Sequence, residues 1–136
     1  MKTTRLATLA MFIVALAFAA APAFGHHTLV AIYDTSKPFT MTGTVTMFDW
    51  RNPHVWFFMD VKSADGTVTN WGFELNGVNV LRRAGWTRDS LKAGDVLTVE
   101  GNPARNGGHT ANARAITFTN TGQKLLESTA AAANPQ

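Results

Sequence analysis

The sequence predicts an all-β domain, a five-stranded OB-like barrel with one short helix, that follows a cleavable leader. Apolar and polar residues alternate with a period of two in five separate segments, which is typical of half-buried strands. A short helical pattern lies between the third and fourth segments, and this order of elements is that of an OB barrel. The chain contains no cysteine, so a disulfide framework is excluded and the core must stabilise the domain. An open meander or a small sandwich is the alternative.

The start of the chain has the three parts of a secretory signal peptide. Lys2 and Arg5 form a positive beginning, an almost wholly apolar run follows, and Ala23 and Gly25 occupy the small-residue positions of a cleavage site. The apolar run is shorter than the roughly 20 residues that cross a bilayer. We therefore expect residues 1–25 to be removed, and the mature chain to be periplasmic and to have no transmembrane segment.

Loss of the leader changes the charge of the protein. The full chain has 12 basic and 9 acidic residues, and two of the basic residues are Lys2 and Arg5. The mature chain is therefore almost neutral and lacks the basic excess that is typical of nucleic-acid-binding domains. We expect no nucleic-acid partner.

Three segments make up the mature chain. Residues 26–37 form an N-terminal arm, residues 38–127 form the barrel, and residues 128–136 form an Ala-rich tail that is expected to be disordered. Strand one begins the barrel, and Gly43 in its middle predicts a bulge or a sharp bend. The apolar residues that alternate with threonines along this strand, and so share its core side, are Phe39, Met41, Val45 and Met47.

Strands two and three form a predicted hairpin. They cover residues 54–62 and 67–75, and Asp65-Gly66 closes the turn between them because this pair tolerates positive φ. The core side of strand two carries Val55, Phe57, Met59 and Val61. The matching face of strand three carries Thr69, Trp71, Phe73 and Leu75.

The remaining elements follow after a change of pattern. Asn76 is predicted to cap a short helix, and Gly85 stops it. Strand four follows with Leu97 and Val99 on its apolar face, and residues 101–108 are expected to form a polar loop. Strand five and a short apolar segment complete the domain over residues 112–119 and 124–126.

Several short motifs are spread over nearly the whole mature chain. In order they are His26-His27, Tyr33-Asp34, Gly43-Thr44-Val45, Trp50-Arg51-Asn52-Pro53-His54, Gly85-Trp86, Leu91-Lys92-Ala93-Gly94-Asp95 and Gly101-Asn102-Pro103-Ala104. Together they resemble an uncharacterised family of small exported bacterial proteins, domain of unknown function 6152. The resemblance implies an envelope protein with one β-rich domain and implies no reaction.

Strand two also carries a candidate binding surface. If its alternation holds, His54, Trp56, Phe58 and Asp60 share the outer face, and Glu74 adds a second carboxylate near His54. Two large aromatic residues on a solvent-facing strand form an apolar patch, and such patches often mark contact surfaces. We expect a small ligand or an envelope protein to bind there. The alternative is that the arm or the tail covers Trp56 and Phe58.

The predicted new N terminus suggests a metal site. Cleavage after Gly25 leaves His26 first, so its α-amino and imidazole nitrogens can chelate one ion, and His27, His54 or His109 can complete the site. An all-nitrogen ligand set suits Cu(II). The alternative is a solvated arm that binds only adventitious metal.

An enzyme is the least favoured class. A hydrolase needs paired carboxylates or a Ser-His-Asp set, and the chain has no Gly-x-Ser-x-Gly elbow. The charges of Asp60 and Glu74 are expected to be satisfied structurally. We therefore expect a non-enzymatic binding or accessory module, with copper binding as the second hypothesis.

Overall fold

The structure, a computed structural model, describes residues 29–126. The predicted leader of residues 1–25, the tail of residues 128–136, His26 and His27 lie outside the described residues. In chain order the described elements are α1 (Leu29–Ile32), β1 (Phe39–Asp49), β2 (Trp56–Lys62), β3 (Val68–Glu74), α2 (Val78–Arg83), β4 (Val96–Pro103), β5 (Thr110–Phe118) and β6 (Lys124–Leu126).

Five of the strands close into a barrel. Neighbouring strands follow the order β3-β2-β1-β4-β5, and parallel pairing of β3 with β5 joins the two ends. The pairs β1–β2, β1–β4, β2–β3 and β4–β5 are antiparallel, and β6 adds to β5. This connectivity confirms the predicted OB-like barrel. Closure matters for so small a sheet because it pairs strand edges that would otherwise be exposed.

The core lies inside the barrel and uses the strand faces that the alternation predicted. Phe57 and Met59 of β2 and Phe73 of β3 are fully buried, and the rings of Phe57 and Phe73 stack with centroids 5.0 Å apart. Helix α2 adds Val78 and Leu81 to the same cluster. Burial of each such large side chain contributes about 1.5–3 kcal/mol, so this cluster is the main source of stability. Among the described residues, no helix has the length and apolar character needed to span a membrane.

Strand β1 departs from the predicted alternation near its end. A β-bulge shifts the register between Val45 and Met47. Val45 is buried, but Met47 is 50% exposed and Phe48 packs against the core instead. The predicted core position of Met47 is therefore wrong, because the extra residue moves the following side chains to opposite faces. Gly43 permits the close approach of β1 to β2, since a Cβ there would lie 2.5 Å from the carbonyl oxygen of Asp60.

The cap of α2 also differs from the prediction. Gly77, and not Asn76, is the N-cap residue, and it makes no side-chain capping bond. Asn52, in the loop between β1 and β2, accepts a hydrogen bond through Oδ1 from the backbone N–H of Val78 at 3.2 Å. One of the free N–H groups of the first helical turn is thus satisfied by a residue distant in sequence.

Strand β4 is longer than predicted. Gly101, Asn102 and Pro103 were expected in a loop because of their composition, but they pair with residues 111–113 of β5. A Cβ at Gly101 would lie 3.0 Å from the carbonyl oxygen of Asn112. The missing side chain at Gly101 therefore permits the close approach of the two strands.

The described part of the arm packs on the barrel, a point that the sequence left open. Tyr33 is only 2% exposed and forms a β-bridge with Ala104. The backbone N–H of Asp34 donates to the carbonyl of Pro103 at 2.8 Å, and that of Arg105 donates to Ile32 at 2.9 Å. The arm is thus fixed to the end of β4 and to the residues that follow it.

Candidate functional site

A pocket of about 470 Å³ lies beside the outer face of β2. The loop between β1 and β2 (residues 50–55) forms one side of it, and the first residue of β5 also contributes. In OB barrels the face of strands two and three and the neighbouring loops commonly bind ligands. The lining residues are Asp49, Arg51, Asn52, Pro53, His54, Trp56, Phe58 and Thr110.

Trp56 and Phe58 form the apolar wall of this pocket. They lie two residues apart on β2, so their side chains share one face. Their rings stack with centroids 6.3 Å apart and an angle of 22° between the ring planes, and both side chains are half-buried. Gly72 of β3 lies opposite Phe58, and a Cβ at Gly72 would be 3.0 Å from the Cε1 atom of that ring. The glycine therefore leaves room for the ring of Phe58 against the sheet.

Glu74 is the buried acid next to the pocket. Only 6% of it is exposed, and each of its carboxylate oxygens has its own side-chain partner. The hydroxyl of Tyr33 donates to Oε2, and Nδ1 of His54 contacts Oε1. Burial, together with the bonded and negatively charged Glu74, raises the pKa of Tyr33. The phenol therefore keeps its proton and acts as the donor, and this pairing compensates for the loss of water around the carboxylate.

His54 connects Glu74 to the pocket. It lies just before β2, its side chain is 48% exposed, and it lines the pocket. When Glu74 is ionised its carboxylate only accepts hydrogen bonds, and Nδ1 of His54 is then the donor in this pair. In the neutral ring Nε2 is then an acceptor, and it is the nitrogen that His54 can offer to a molecule in the pocket.

An ion pair lies in the pocket wall where β1 ends. Nη2 and Nε of Arg51 donate to Oδ2 of Asp49 at 2.6 and 2.7 Å. Both residues line the pocket, so the two charges offset each other there.

The structure separates two of the predicted site residues from the others. Asp60 accepts a hydrogen bond from Nδ2 of Asn70 at 2.7 Å and does not line the pocket. His109 contacts the ring of Trp71, with centroids 5.2 Å apart and an edge-on orientation. Of the predicted surface residues, His54, Trp56 and Phe58 thus share the pocket, with Glu74 behind His54.

The predicted copper site depends on residues outside this part of the chain. Within residues 29–126, no group of three or more His, Cys, Asp or Glu side chains is placed to hold a metal ion. A site that uses His54 or His109 would therefore need ligands from outside residues 29–126, and the predicted site takes them from His26 and His27. Copper binding stays a prediction.

Sequence reasoning missed Tyr33 and the pair of Asp49 and Arg51. Tyr33 is the single tyrosine of the chain, and a lone tyrosine beside a predicted barrel is a candidate partner for a buried acid because its hydroxyl usually needs one when buried. Nothing in the strand alternation indicates that the arm would bring it to Glu74.

The comparisons with known proteins identify a family. The model of the Family of unknown function (DUF6152) matches residues 14–113, a range that includes every residue lining the pocket as well as Tyr33 and Glu74. Comparison with the curated proteins and with the solved structures gave no match. Since the family model covers most of the sequence, the chain belongs to the DUF6152 family, whose function is unknown.

Proposed function

We propose that this protein is an exported, periplasmic binding or accessory module that holds a small ligand against Trp56 and Phe58. The observation that carries the proposal is the pocket itself, with two stacked aromatic rings on the outer face of a closed barrel. Large aromatic side chains left facing solvent gain free energy when another apolar surface covers them. The signal-peptide pattern of residues 1–25 supports export.

The dimensions of the site favour a small molecule over a protein partner. Its volume of about 470 Å³ falls in the range of roughly 300–1,000 Å³ that is typical of small-molecule pockets. A stable protein interface buries about 800 Å² on each partner, and its energetic centre is usually a broad, well-packed patch. The aromatic pair instead forms one wall of a shallow, open groove.

The frame around the pocket consists of paired strands and of polar side chains that have partners. Trp56 and Phe58 lie on a strand that pairs on both sides, with β1 and with β3. His54 is fixed by Glu74, and Arg51 by Asp49. Such preorganised sites lose less conformational entropy on binding.

Titration of the processed chain with single-ring probes tests this proposal. With indole, phenol and methyl β-glucoside as probes, at least one should shift the amide resonances of residues 51–58 and 110 in NMR spectra. Trp56→Ala should weaken that binding by about tenfold or more, because it removes half of the apolar wall. Phe58→Leu removes the second ring but preserves much of the apolar volume, so it should weaken binding by less.

Val68→Ala is the matched control. Val68 is 56% exposed on β3 and does not line the pocket, so its truncation should leave probe binding unchanged. Probe-induced shifts that map elsewhere, or that persist undiminished in Trp56→Ala and Phe58→Leu, would contradict the proposal. Absence of binding by all three probes would also contradict it.

A further inference from the structure

The charges around the pocket select against charged ligands. Asp49 and Arg51 neutralise each other in its wall, and the carboxylate of Glu74 contacts His54 and does not line the pocket. A charged ligand would lose its water in this pocket without meeting a net charge of opposite sign, which makes its binding less favourable. The lining therefore suits an uncharged molecule.

The polar groups of the pocket nevertheless require hydrogen bonds. In the neutral ring of His54 that carries its proton on Nδ1, Nε2 is an acceptor, and the hydroxyl of Thr110 can both donate and accept. The amide nitrogen of Asn52 is a donor, since its Oδ1 already accepts from the N–H of Val78. A purely apolar ligand would cover these groups without replacing their water, which makes binding less favourable.

These two constraints, together with the aromatic wall, define one chemical class. The ligand must be neutral, must carry several hydroxyl or amide groups, and must present a flat apolar face to Trp56 and Phe58. A pyranose ring has these properties, because its axial C–H groups form an apolar face and its hydroxyls project around the rim. The rings of Trp56 and Phe58, with centroids 6.3 Å apart and ring planes at 22° to each other, supply the aromatic surface for such a contact.

We propose that the pocket binds an uncharged carbohydrate, with one sugar ring stacked on Trp56 and Phe58 and one hydroxyl donating to Nε2 of His54. This inference rests on the proposed function and specifies its ligand class. Glu74 is a positioning residue in this arrangement, since it holds the proton on Nδ1 and so keeps Nε2 free to accept. Tyr33 in turn holds the second oxygen of Glu74.

Isothermal titration calorimetry of the processed chain tests the ligand class with defined probes. Maltotriose, cellotriose and N,N′,N″-triacetylchitotriose are the uncharged sugars, trigalacturonate and the deacetylated glucosamine trimer are charged sugars of the same length, and indole is the apolar probe. At least one trisaccharide should bind, and the charged sugars should bind about tenfold more weakly or not at all. NMR shifts should place the bound trisaccharide at Trp56, Phe58 and Thr110.

His54→Phe separates the hydrogen bond to the sugar from the apolar contact with the ring. It keeps a ring in the pocket but removes the acceptor, so trisaccharide binding should fall by about tenfold or more while indole binding is preserved. Thr110→Val removes a lining hydroxyl with little change of shape and gives a second variant if His54→Phe does not fold. Thr44→Val, on the exposed side of β1, is the control.

The outcomes distinguish this inference from the proposed function. Binding of indole or of a charged sugar in the pocket, without binding of any trisaccharide, overturns the carbohydrate inference and leaves a binding module of another specificity. Trisaccharide binding that survives both His54→Phe and Thr110→Val also overturns it. If no probe binds in the pocket, both proposals fail together.

Discussion

Glu74 joins three parts of the chain that are far apart in sequence. It lies at the end of β3. Tyr33 contacts it from the arm, and His54 contacts it from the loop before β2. A buried and paired carboxylate adds little net stability compared with an apolar contact, but removal of one of its partners is costly because the remaining charge stays buried. The geometry of His54 and the docking of the arm therefore depend on the same side chain.

Tyr33→Phe tests this dependence by deleting a single hydroxyl. The ring should remain packed, but Oε2 of the buried Glu74 loses its hydrogen-bond donor. We expect the free energy of unfolding to fall by about 1–3 kcal/mol, which is the cost of leaving a buried polar atom without a partner. Urea denaturation followed by tryptophan fluorescence measures the loss.

Two controls accompany Tyr33→Phe. Thr42→Val deletes the hydroxyl that shares an exposed hydrogen bond with Thr98 and should change the stability by less than about 0.5 kcal/mol. Combination with Glu74→Gln should cost less than the sum of the two single substitutions, because both act on one interaction. Equal effects of Tyr33→Phe and Thr42→Val would mean that Glu74 does not need the phenol.

The alternation of exposed and buried residues in strand β1 keeps a period of two but changes phase within the strand. Up to Val45 its even-numbered residues are exposed threonines and its odd-numbered residues face the core. The bulge after Val45 reverses this order, so Phe48 contacts the core and its ring lies 5.7 Å from that of Trp50 and 6.4 Å from that of Trp86. The reversal also increases the local twist at the point where the chain enters the loop beside the pocket.

A pair of alanine substitutions distinguishes the bulged strand from a regular one. Phe48→Ala should lower the free energy of unfolding by about 2–4 kcal/mol, somewhat less than for a fully buried phenylalanine because Phe48 is only partly buried. Met47→Ala should change it by less than about 0.5 kcal/mol, since this side chain is half exposed. Chemical denaturation of both variants gives the two values. The opposite order would mean that the alternation continues without a bulge.

At the scale of the whole molecule, the sequence predicted the features that depend on a short-range pattern of residues. The core faces of β2 and β3 followed from alternation, since a strand with one buried face must keep a period of two, and the order of strands and helix predicted the barrel. The aromatic pair of the site, Trp56 and Phe58, followed from the same pattern.

The features that were missed depend on contacts between distant residues. Gly43 predicted a bulge or a bend in β1, but the position of the bulge after Val45 is defined by the pairing with β2. The hydrogen bond to the first turn of α2 comes from Asn52, and the partner of the buried carboxylate of Glu74 is Tyr33 of the arm. None of these has a local sequence signature, because each arises only when the barrel closes. For the same reason, composition predicted a loop at Gly101, where pairing with β5 extends a strand.

The proposed function also requires that the chain leave the cytoplasm and lose its leader. Signal peptidases cleave after a small residue that has another small residue two positions before it, and Gly25 and Ala23 satisfy this rule. When the full chain is expressed in a Gram-negative host, the periplasmic fraction should contain a protein that begins at His26. Intact-mass spectrometry of that fraction measures the start directly.

Gly25→Leu is the variant that links the cleavage to the sequence pattern. A bulky residue at the cleavage position should block processing, so the mass should be that of the uncleaved chain, while the barrel, which begins well after this position, should fold as before. Gly108→Ala, in the loop between β4 and β5 and without a positive φ, is the matched glycine control and should be processed normally. A wild-type chain that keeps its first 25 residues, or that stays in the cytoplasm, would remove the proposed compartment. It would also remove the free α-amino group of His26 on which the copper prediction depends.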